Sequence, residues 1–250
     1  PRSIAIFGAG TIGLLALQAA RLAGATTTVV IDRDPHRLEV AKRLGATAVV
    51  NAATDDGTTD ALGRLSLELT DGEGFDGALD CVGVGATRAG AVRMVAPGGT
   101  AVWIGSAADE VPLRGLELVH HEKRVQGAYS YTDHDFVAAL GLLAAGRLEL
   151  ASWSKVYPLA EGASLFTRLL THEEPCIKAL LDPTAPIPHG WPAGAWGVLL
   201  LFLVPMMAAD RRRGGGGPRD VFERAPDDLR EVDREEAPRS LVGRFLLHPA

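Results

Sequence analysis

The feature that most constrains this chain is its first 13 residues, a short apolar run followed by three glycines. Residues 4–7 are typical of a buried parallel strand, and the spacing of Gly8, Gly10 and Gly13 fits a tight turn that leads into an apolar helix. In such a turn the first glycine permits the sharp bend, the second leaves room for a pyrophosphate, and the third lets helix and strand pack closely. The free amides and partial positive charge where the helix begins favour an anion. The pattern therefore predicts a dinucleotide-binding turn.

An aspartate lies at the sequence position where a dinucleotide site requires a carboxylate. Residues 28–31 are β-branched throughout, and Asp32 follows them 19 residues after Gly13. This spacing is close to the roughly 20 residues expected before a ribose-binding acid, which disfavours the alternative of an ordinary strand-turn-helix with a solvated Asp. A carboxylate accepts hydrogen bonds from both ribose hydroxyls and repels a 2′-phosphate, so the sequence favours NAD over NADP. The adjacent Arg33 could pair with a phosphate, but Asp32 would oppose that binding.

Strand-like and helix-like segments alternate through the first two thirds of the chain. Helices are predicted at residues 11–22, 35–44, 59–69 and 87–95, and further strands at 48–51, 75–81, 100–104 and 124–128. The alternation predicts an α/β fold with a doubly wound, parallel, six-stranded sheet that binds its ligand at the carboxyl ends of the strands. We expect a dinucleotide-binding Rossmann domain over 1–132 and a further helix and strand segment over 133–183, with ordered segments at 155–158, 160–170 and 176–181.

Charge and cysteine content exclude several function classes. The net charge of −6 provides no basic surface for nucleic acid. Two cysteines, Cys81 and Cys176, are too few for a disulfide framework or an all-cysteine zinc site, and they suggest a reducing compartment such as the cytoplasm. Cys81 ends a predicted strand, where a buried apolar thiol is the more common role. No signal peptide is visible at the start of the sequence.

Several motifs together resemble one known family. They occur in the order GAGTIG, DRDPHRLEVAKRLGA, FDGALDCVG, APGGTAVWIG and EEPCIKALLDP over residues 1–183. This order resembles the C-terminal, nucleotide-binding half of the zinc-type medium-chain alcohol and polyol dehydrogenases. The resemblance implies NAD as cofactor, a small alcohol or polyol as substrate, and a catalytic zinc held by a preceding GroES-like domain. We therefore assign no catalytic or metal-ligating residue here, and expect the chain alone to bind NAD(H) without oxidising alcohols.

The resemblance also implies which residues contact the cofactor. The pyrophosphate would lie on the turn formed by Gly8, Gly10, Thr11, Ile12 and Gly13. Asp32 would bind the adenosine ribose and Arg37 would line the adenine side, and Arg33, beside Asp32, is a further candidate contact. The nicotinamide end would be bordered by Val82, Gly83, Ile104, Gly105, Ser106 and the backbone near Ala128 and Ser130.

Two more positions follow from the same resemblance. Lys178 lies where the family often places a basic residue near the pyrophosphate, although a solvated strand residue is the alternative. The segment near Val111 and Leu113 resembles the edge strand through which family members pair into homodimers.

The tail from residue 184 onward has a different composition. Ala, Pro, Gly and Arg make up 33 of its 67 residues, which indicates low complexity rather than a folded domain. Its apolar stretch, 195–209, holds 15 uncharged residues and is interrupted by Pro205, so a membrane span is disfavoured. A segment that packs on a partner, or a shifted reading frame, are the alternatives. The second function class is accordingly a truncated, non-catalytic NAD-binding or interaction protein, attached to a membrane through this tail if the stretch inserts.

Overall fold

A computed structural model describes residues 2–55, 57–171 and 173–184. They divide into two compact units, of which one extends to Trp153 and the other starts at Ser154. The domain limits predicted at residues 132 and 183 stay predictions. The tail, with its apolar stretch 195–209, lies outside the described residues.

The first unit is a parallel sheet with helices in its crossover connections. Its strand order is β3-β2-β1-β4-β5-β6, which confirms the predicted doubly wound, six-stranded α/β fold. The strands are β1 Ser3–Phe7, β2 Thr27–Asp32, β3 Ala48–Asn51, β4 Phe75–Asp80, β5 Val95–Trp103 and β6 Arg124–Gly127. The helices are α1 Thr11–Leu22, α2 Pro35–Arg43, α3 Thr59–Leu69, α4 Gly85–Met94, α5 Gly115–His120 and α6 Asp133–Ala144.

The register of this sheet aligns the strand ends that matter for a ligand. Phe7, the last residue of β1, lies opposite Ile31 of β2 and Asp80 of β4. Asp80 in turn lies opposite Trp103, where β5 ends. The order of connections reverses between β1 and β4, and ligands of such sheets bind in the crevice at that reversal. The loops after β1, β2, β4 and β5 therefore begin along one edge of the sheet.

Apolar packing on both faces of the central strands holds this edge in place. Ile4, Ala5 and Ile6 of β1 have no exposed surface, as expected for a parallel strand covered by helices on both sides. Phe7 and Phe75 are the largest of the fully buried side chains.

The described structure differs from the predicted elements at two places. β5 begins at Val95, ahead of the strand predicted at 100–104, and its register with β4 shifts between Phe75 and Gly77. The added part of β5 contains Gly98, whose positive φ of 73° is unusual for a regular strand. The six-residue helix α5 was not predicted, because it is too short to show a helical period and none of its residues is fully buried.

The second unit, considered by itself, contains a two-stranded parallel sheet. β7 Ser154–Pro158 pairs with β8 Lys178–Asp182, and α7 Gly162–Leu170 lies between them in sequence after a short 3-10 turn. The predicted segments at 155–158, 160–170 and 176–181 overlap these elements. None of the helices in the described ranges has the length and apolar character that a membrane crossing requires.

Candidate dinucleotide site

The glycine turn between β1 and α1 is built around two close backbone contacts. Gly8 has a positive φ of 95°, and its N–H donates to the carbonyl of Ile31 at 2.7 Å. A Cβ at Gly13 would lie only 1.7 Å from the carbonyl oxygen of Gly8. Only glycine therefore lets the first turn of α1 approach the end of β1 this closely.

The backbone amides at the start of α1 have no capping side chain. Gly10 is the N-cap residue, no side chain caps the helix, and its first turn contains no acidic residue. By contrast, Asp34 caps α2 and Thr132 caps α6. Beyond its chain neighbours, a Cβ at Gly10 would meet only Nη1 of Arg37, at 4.0 Å. The uncapped amides and the positive end of the helix dipole suit an anionic ligand.

The Asp32 carboxylate is joined to this turn through the backbone. Its Oδ2 accepts from the N–H of Ala9 at 2.6 Å, and its Oδ1 accepts from Arg33 and Asp34 at 2.7 and 2.9 Å. Each carboxylate oxygen can accept more than one hydrogen bond, so Oδ2 retains capacity for a ligand hydroxyl. Asp32 is half-buried, and these bonds hold its side chain beside the turn.

The two predicted arginines occupy different positions near Asp32. Arg33 is exposed and contributes a backbone bond to the Asp32 carboxylate. The Arg37 Nε lies 3.4 Å from Oδ2 of Asp34, the residue that caps α2. Its guanidinium also approaches Gly10, so the structure brings Arg37 to the glycine turn.

The loops after β4 and β5 lie against each other. Gly83 is buried with a φ of 87°, and a Cβ there would lie 2.2 Å from the carbonyl carbon of Gly105. The N–H of Ala108 donates to the carbonyl of Gly83 at 2.8 Å. Val82 reaches the glycine turn, because a Cβ at Gly8 would lie 2.8 Å from its Cγ2. Three of the predicted loop segments thus meet at the crevice.

The remaining predicted positions on these loops differ in exposure. Thr11 and Ile104 are half-buried, whereas Ile12 and Ser106 are exposed. Both Ile104 and Gly105 donate their N–H groups to the carbonyl of Asp80 at 2.9 Å, so the β5 loop starts against the end of β4.

Sequence reasoning missed the charged pair beneath these loops. Asp80 is completely buried, and its carboxylate accepts from the N–H groups of Val82 and Gly83. Arg88 of α4 places its Nε 3.8 Å from Oδ2 of Asp80 and donates to two carbonyls of the β5 loop. A charged residue directly after the apolar residues Ala78 and Leu79 was the available signal, because such a group is seldom buried without a partner.

Cys81 sits beside this pair and does not have the character of a nucleophile. Burial, with the nearby negative charge of Asp80, raises the pKa of the Cys81 thiol to about 12. The thiol therefore stays protonated at neutral pH, and a protonated thiol is a poor nucleophile and metal ligand.

Two further predicted contact residues, Ser130 and Lys178, lie in different units of the chain. Ser130 is exposed with a φ of 56°, two residues after Ala128, whose N–H donates to the carbonyl of Trp103. Lys178 is the exposed first residue of β8 in the second unit. The cofactor contacts of both stay predictions.

Within residues 2–55, 57–171 and 173–184, no group of three or more His, Cys, Asp or Glu side chains lies close enough together to hold a metal ion. These residues therefore do not fit a zinc site.

Comparison with known proteins places the chain in a family. The family model described as zinc-binding dehydrogenase matches residues 11–145. An alcohol dehydrogenase of Cupriavidus necator is 36% identical over 185 residues, and a sorbitol dehydrogenase of Bacillus subtilis is 30% identical over 183. Each alignment covers 72% of this chain, and the alignments cover 49% and 50% of those relatives.

Solved structures agree with these sequence relatives. An alcohol dehydrogenase from Thermus sp. ATN1 superposes with a TM-score of 0.64 at 31% identity, covering 72% of this chain and 52% of that one. The chain spans about half the length of the curated relatives that it matches. The resemblance deduced from the sequence motifs is confirmed: the chain belongs to the zinc-binding dehydrogenase family.

Proposed function

We propose that this chain is the NAD-binding part of an oxidoreductase that transfers hydride between an alcohol or polyol and NAD. One observation carries the proposal. The Ala9 N–H to Asp32 Oδ2 bond joins the uncapped glycine turn to a carboxylate at the reversal point of the sheet. Relatives named alcohol dehydrogenase and sorbitol dehydrogenase support the reaction class.

Each part of the crevice suits one part of the cofactor. The amides of Thr11 and Ile12 would donate to the pyrophosphate, with Gly10 leaving room for its approach. Asp32 would accept hydrogen bonds from the adenosine ribose, and Arg37 would line the adenine side. The bound cofactor supplies the hydride chemistry, and the protein orients it and limits the access of water.

The nicotinamide would lie against the loops after β4 and β5. Val82 borders the glycine turn, and the backbone contact between Gly83 and Gly105 would form the floor beneath the ring. Ile104 and Ser106 flank that floor. Lys178 is proposed as a basic residue near the pyrophosphate.

In the proposed enzyme, zinc would be bound by residues outside the described part of this chain. The family is described as zinc-binding, but the described residues supply no ligand set. We propose that the zinc ligands lie outside the described residues, and no step assigned to this chain runs through the metal.

The assembly and location of the protein are part of the proposal. We propose a cytoplasmic homodimer that pairs near Val111 and Leu113. In the described single chain this segment is irregular rather than a strand, as expected of a segment whose pairing partner would be another copy. Sedimentation velocity of the purified protein measures the oligomeric state, and replacing Val111 with proline would weaken the dimer if this segment pairs.

Calorimetric titration with NAD and NADP tests the cofactor assignment. We expect NAD to bind more tightly than NADP, because a 2′-phosphate would approach the Asp32 carboxylate. Asp32→Asn should weaken NAD binding about tenfold, or about 1.4 kcal/mol. It should also reduce the ratio of NAD affinity to NADP affinity.

Glu39→Gln is the matched control, since it removes the same charge from an exposed position on α2. It should leave both affinities unchanged. Thermal unfolding checks that Asp32→Asn keeps the turn folded, because Asp32 also accepts three backbone bonds. Equal affinity of the unaltered chain for the two cofactors would contradict the role of Asp32.

A further inference from the structure

Arg88 and Asp80 form a buried ion pair below the loops that follow β4 and β5. Asp80 has no exposed surface, and the Arg88 side chain is 12% exposed. The Arg88 guanidinium also lies over the ring of Trp103, with its carbon 5.2 Å from the ring centroid. Burial of both charges makes the pair sensitive to the loss of either partner, because the remaining charge would be left without compensation.

Each partner is bonded to the backbone of a different loop. The Asp80 carboxylate accepts from Val82 and Gly83 at 3.1 and 3.0 Å. The Arg88 Nη2 donates to the carbonyl of Gly105 at 2.9 Å, and Nη1 donates to that of Ala108 at 2.7 Å. The pair thus links the two loops through charge-assisted bonds, which are stronger than neutral ones.

The glycine turn is held by separate bonds. Its position depends on Gly8 donating to Ile31 and on Ala9 donating to Asp32, and neither bond involves Asp80 or Arg88. A change at Arg88 should therefore move the loops after β4 and β5 while leaving the turn and Asp32 in place.

We propose that Asp80 and Arg88 are positioning residues that fix the nicotinamide half of the cofactor site and leave the ADP-ribose half unaffected. The inference rests on the proposed function, since it assumes that the crevice holds a nicotinamide dinucleotide. Neither side chain is proposed to touch the reacting atoms. They act through the backbone of Gly83 and Gly105, which a shift in either loop would separate.

Titrating the full chain with NADH and with ADP-ribose separates the two halves of the site. Arg88→Met keeps a long apolar side chain against Trp103 but loses every donor. We expect it to weaken NADH binding about tenfold, to reduce the change in nicotinamide fluorescence on binding, and to leave ADP-ribose affinity within twofold. Arg43→Met, on an exposed position of α2, is the matched control and should change neither affinity.

Arg88→Lys is the second variant and carries the test if Arg88→Met does not fold. A lysine keeps the charge opposite Asp80 but cannot donate to both carbonyls in the geometry of a guanidinium. It should therefore show a smaller loss of NADH affinity than Arg88→Met, again with unchanged ADP-ribose binding.

The outcomes distinguish this inference from the proposed function. If the unaltered chain binds neither NADH nor ADP-ribose, the proposed function itself fails. If the unaltered chain binds ADP-ribose without any nicotinamide fluorescence change on adding NADH, only the inference is overturned. The inference is also overturned if a folded Arg88 variant weakens both ligands equally or neither of them, because the pair would then not act on the nicotinamide half.

Discussion

At the scale of single residues, this site depends on glycines, whose lack of a Cβ permits close contacts, as much as on the side chains that form hydrogen bonds. Gly8, Gly13, Gly83 and Gly105 each stand where a Cβ would meet a neighbouring residue at less than 3.0 Å. Gly10 is different, because its surroundings are open and its lack of a side chain leaves space for a ligand. The sequence motif already distinguishes Gly10 from Gly13 in this way, and the structure adds that Gly83 and Gly105 serve packing between two loops.

Gly13→Ala tests the packing role. The added Cβ would lie 1.7 Å from the Gly8 carbonyl oxygen, so the turn or the helix must move. We expect a loss of about 2–3 kcal/mol in the free energy of unfolding, in the upper range for overpacking, measured by urea denaturation.

Gly141→Ala is the control for this substitution. Gly141 is also within a helix, and a Cβ there meets no atom within 4 Å. It should be neutral or stabilise the protein by up to about 1 kcal/mol, because alanine favours the helix. Equal effects of the two changes would contradict the packing role of Gly13.

At the scale of elements, one lysine joins the end of α4 to α5. The Lys123 Nζ donates to the carbonyls of Val92 and Arg93, at 2.9 and 3.3 Å, and to Oε1 of Glu117 at 2.8 Å. A cation at this position satisfies carbonyls that the helix end leaves without partners and complements its dipole. None of the α5 residues is fully buried, but Leu118 packs against the core, and the Lys123 bonds add a polar attachment of α5 to the rest of the unit.

The Glu117–Lys123 pair predicts a pH-dependent contribution to stability. Burial alone would raise the pKa of Glu117, but the hydrogen bond and charge of Lys123, together with Arg93, outweigh it and lower that pKa. A lowered folded-state pKa gives stability that is present above the ordinary glutamate pKa of 4.5 and is lost as the pH falls through the folded value.

Glu117→Gln should therefore lower the free energy of unfolding by about 2 kcal/mol at pH 7 and by clearly less at pH 3.5. Urea denaturation at both pH values measures this difference. Glu68→Gln, at an exposed position of α3, is the control and should show little effect at either pH. If Glu117→Gln lowers the free energy of unfolding equally at both pH values, the contribution of Glu117 to stability is not ionic.

At the scale of the whole molecule, the sheet order predicts where the fold is most resistant to opening. β1 lies between β2 and β4 and is almost wholly buried, whereas every residue of the edge strand β6 is exposed. Local opening can release an edge strand, but releasing a central one requires most of the sheet to separate.

Amide hydrogen exchange tests this expectation. Peptides from β1 and β4 should exchange at least tenfold more slowly than those from β6. Adding NAD should slow exchange at the start of α1 and in the loops after β4 and β5, and leave β6 unchanged. If amides of β6 in the monomer exchange as slowly as those of β1, the expected difference between edge and central strands is contradicted.

The elements that the sequence predicted well are those whose signal is local. The alternation of apolar strands with helices gave the α/β class, and the spacing from Gly13 to Asp32 placed the carboxylate near the turn. The early start of β5 and the helix α5 were missed because a glycine-rich irregularity and a six-residue helix are too short to show an apolar periodicity.

By itself the sequence determined the glycine turn and the strand-and-helix alternation, and it predicts a ribose rather than a 2′-phosphate beside Asp32, because each depends on residues within one βα unit. Only the tertiary structure decided that the loop after β4 meets the loop after β5 through Gly83 and Gly105. It also decided that Asp80 and Arg88 pair beneath them. These contacts depend on which strands become neighbours in the sheet, and that order is set by the packing of the whole unit rather than by any local pattern.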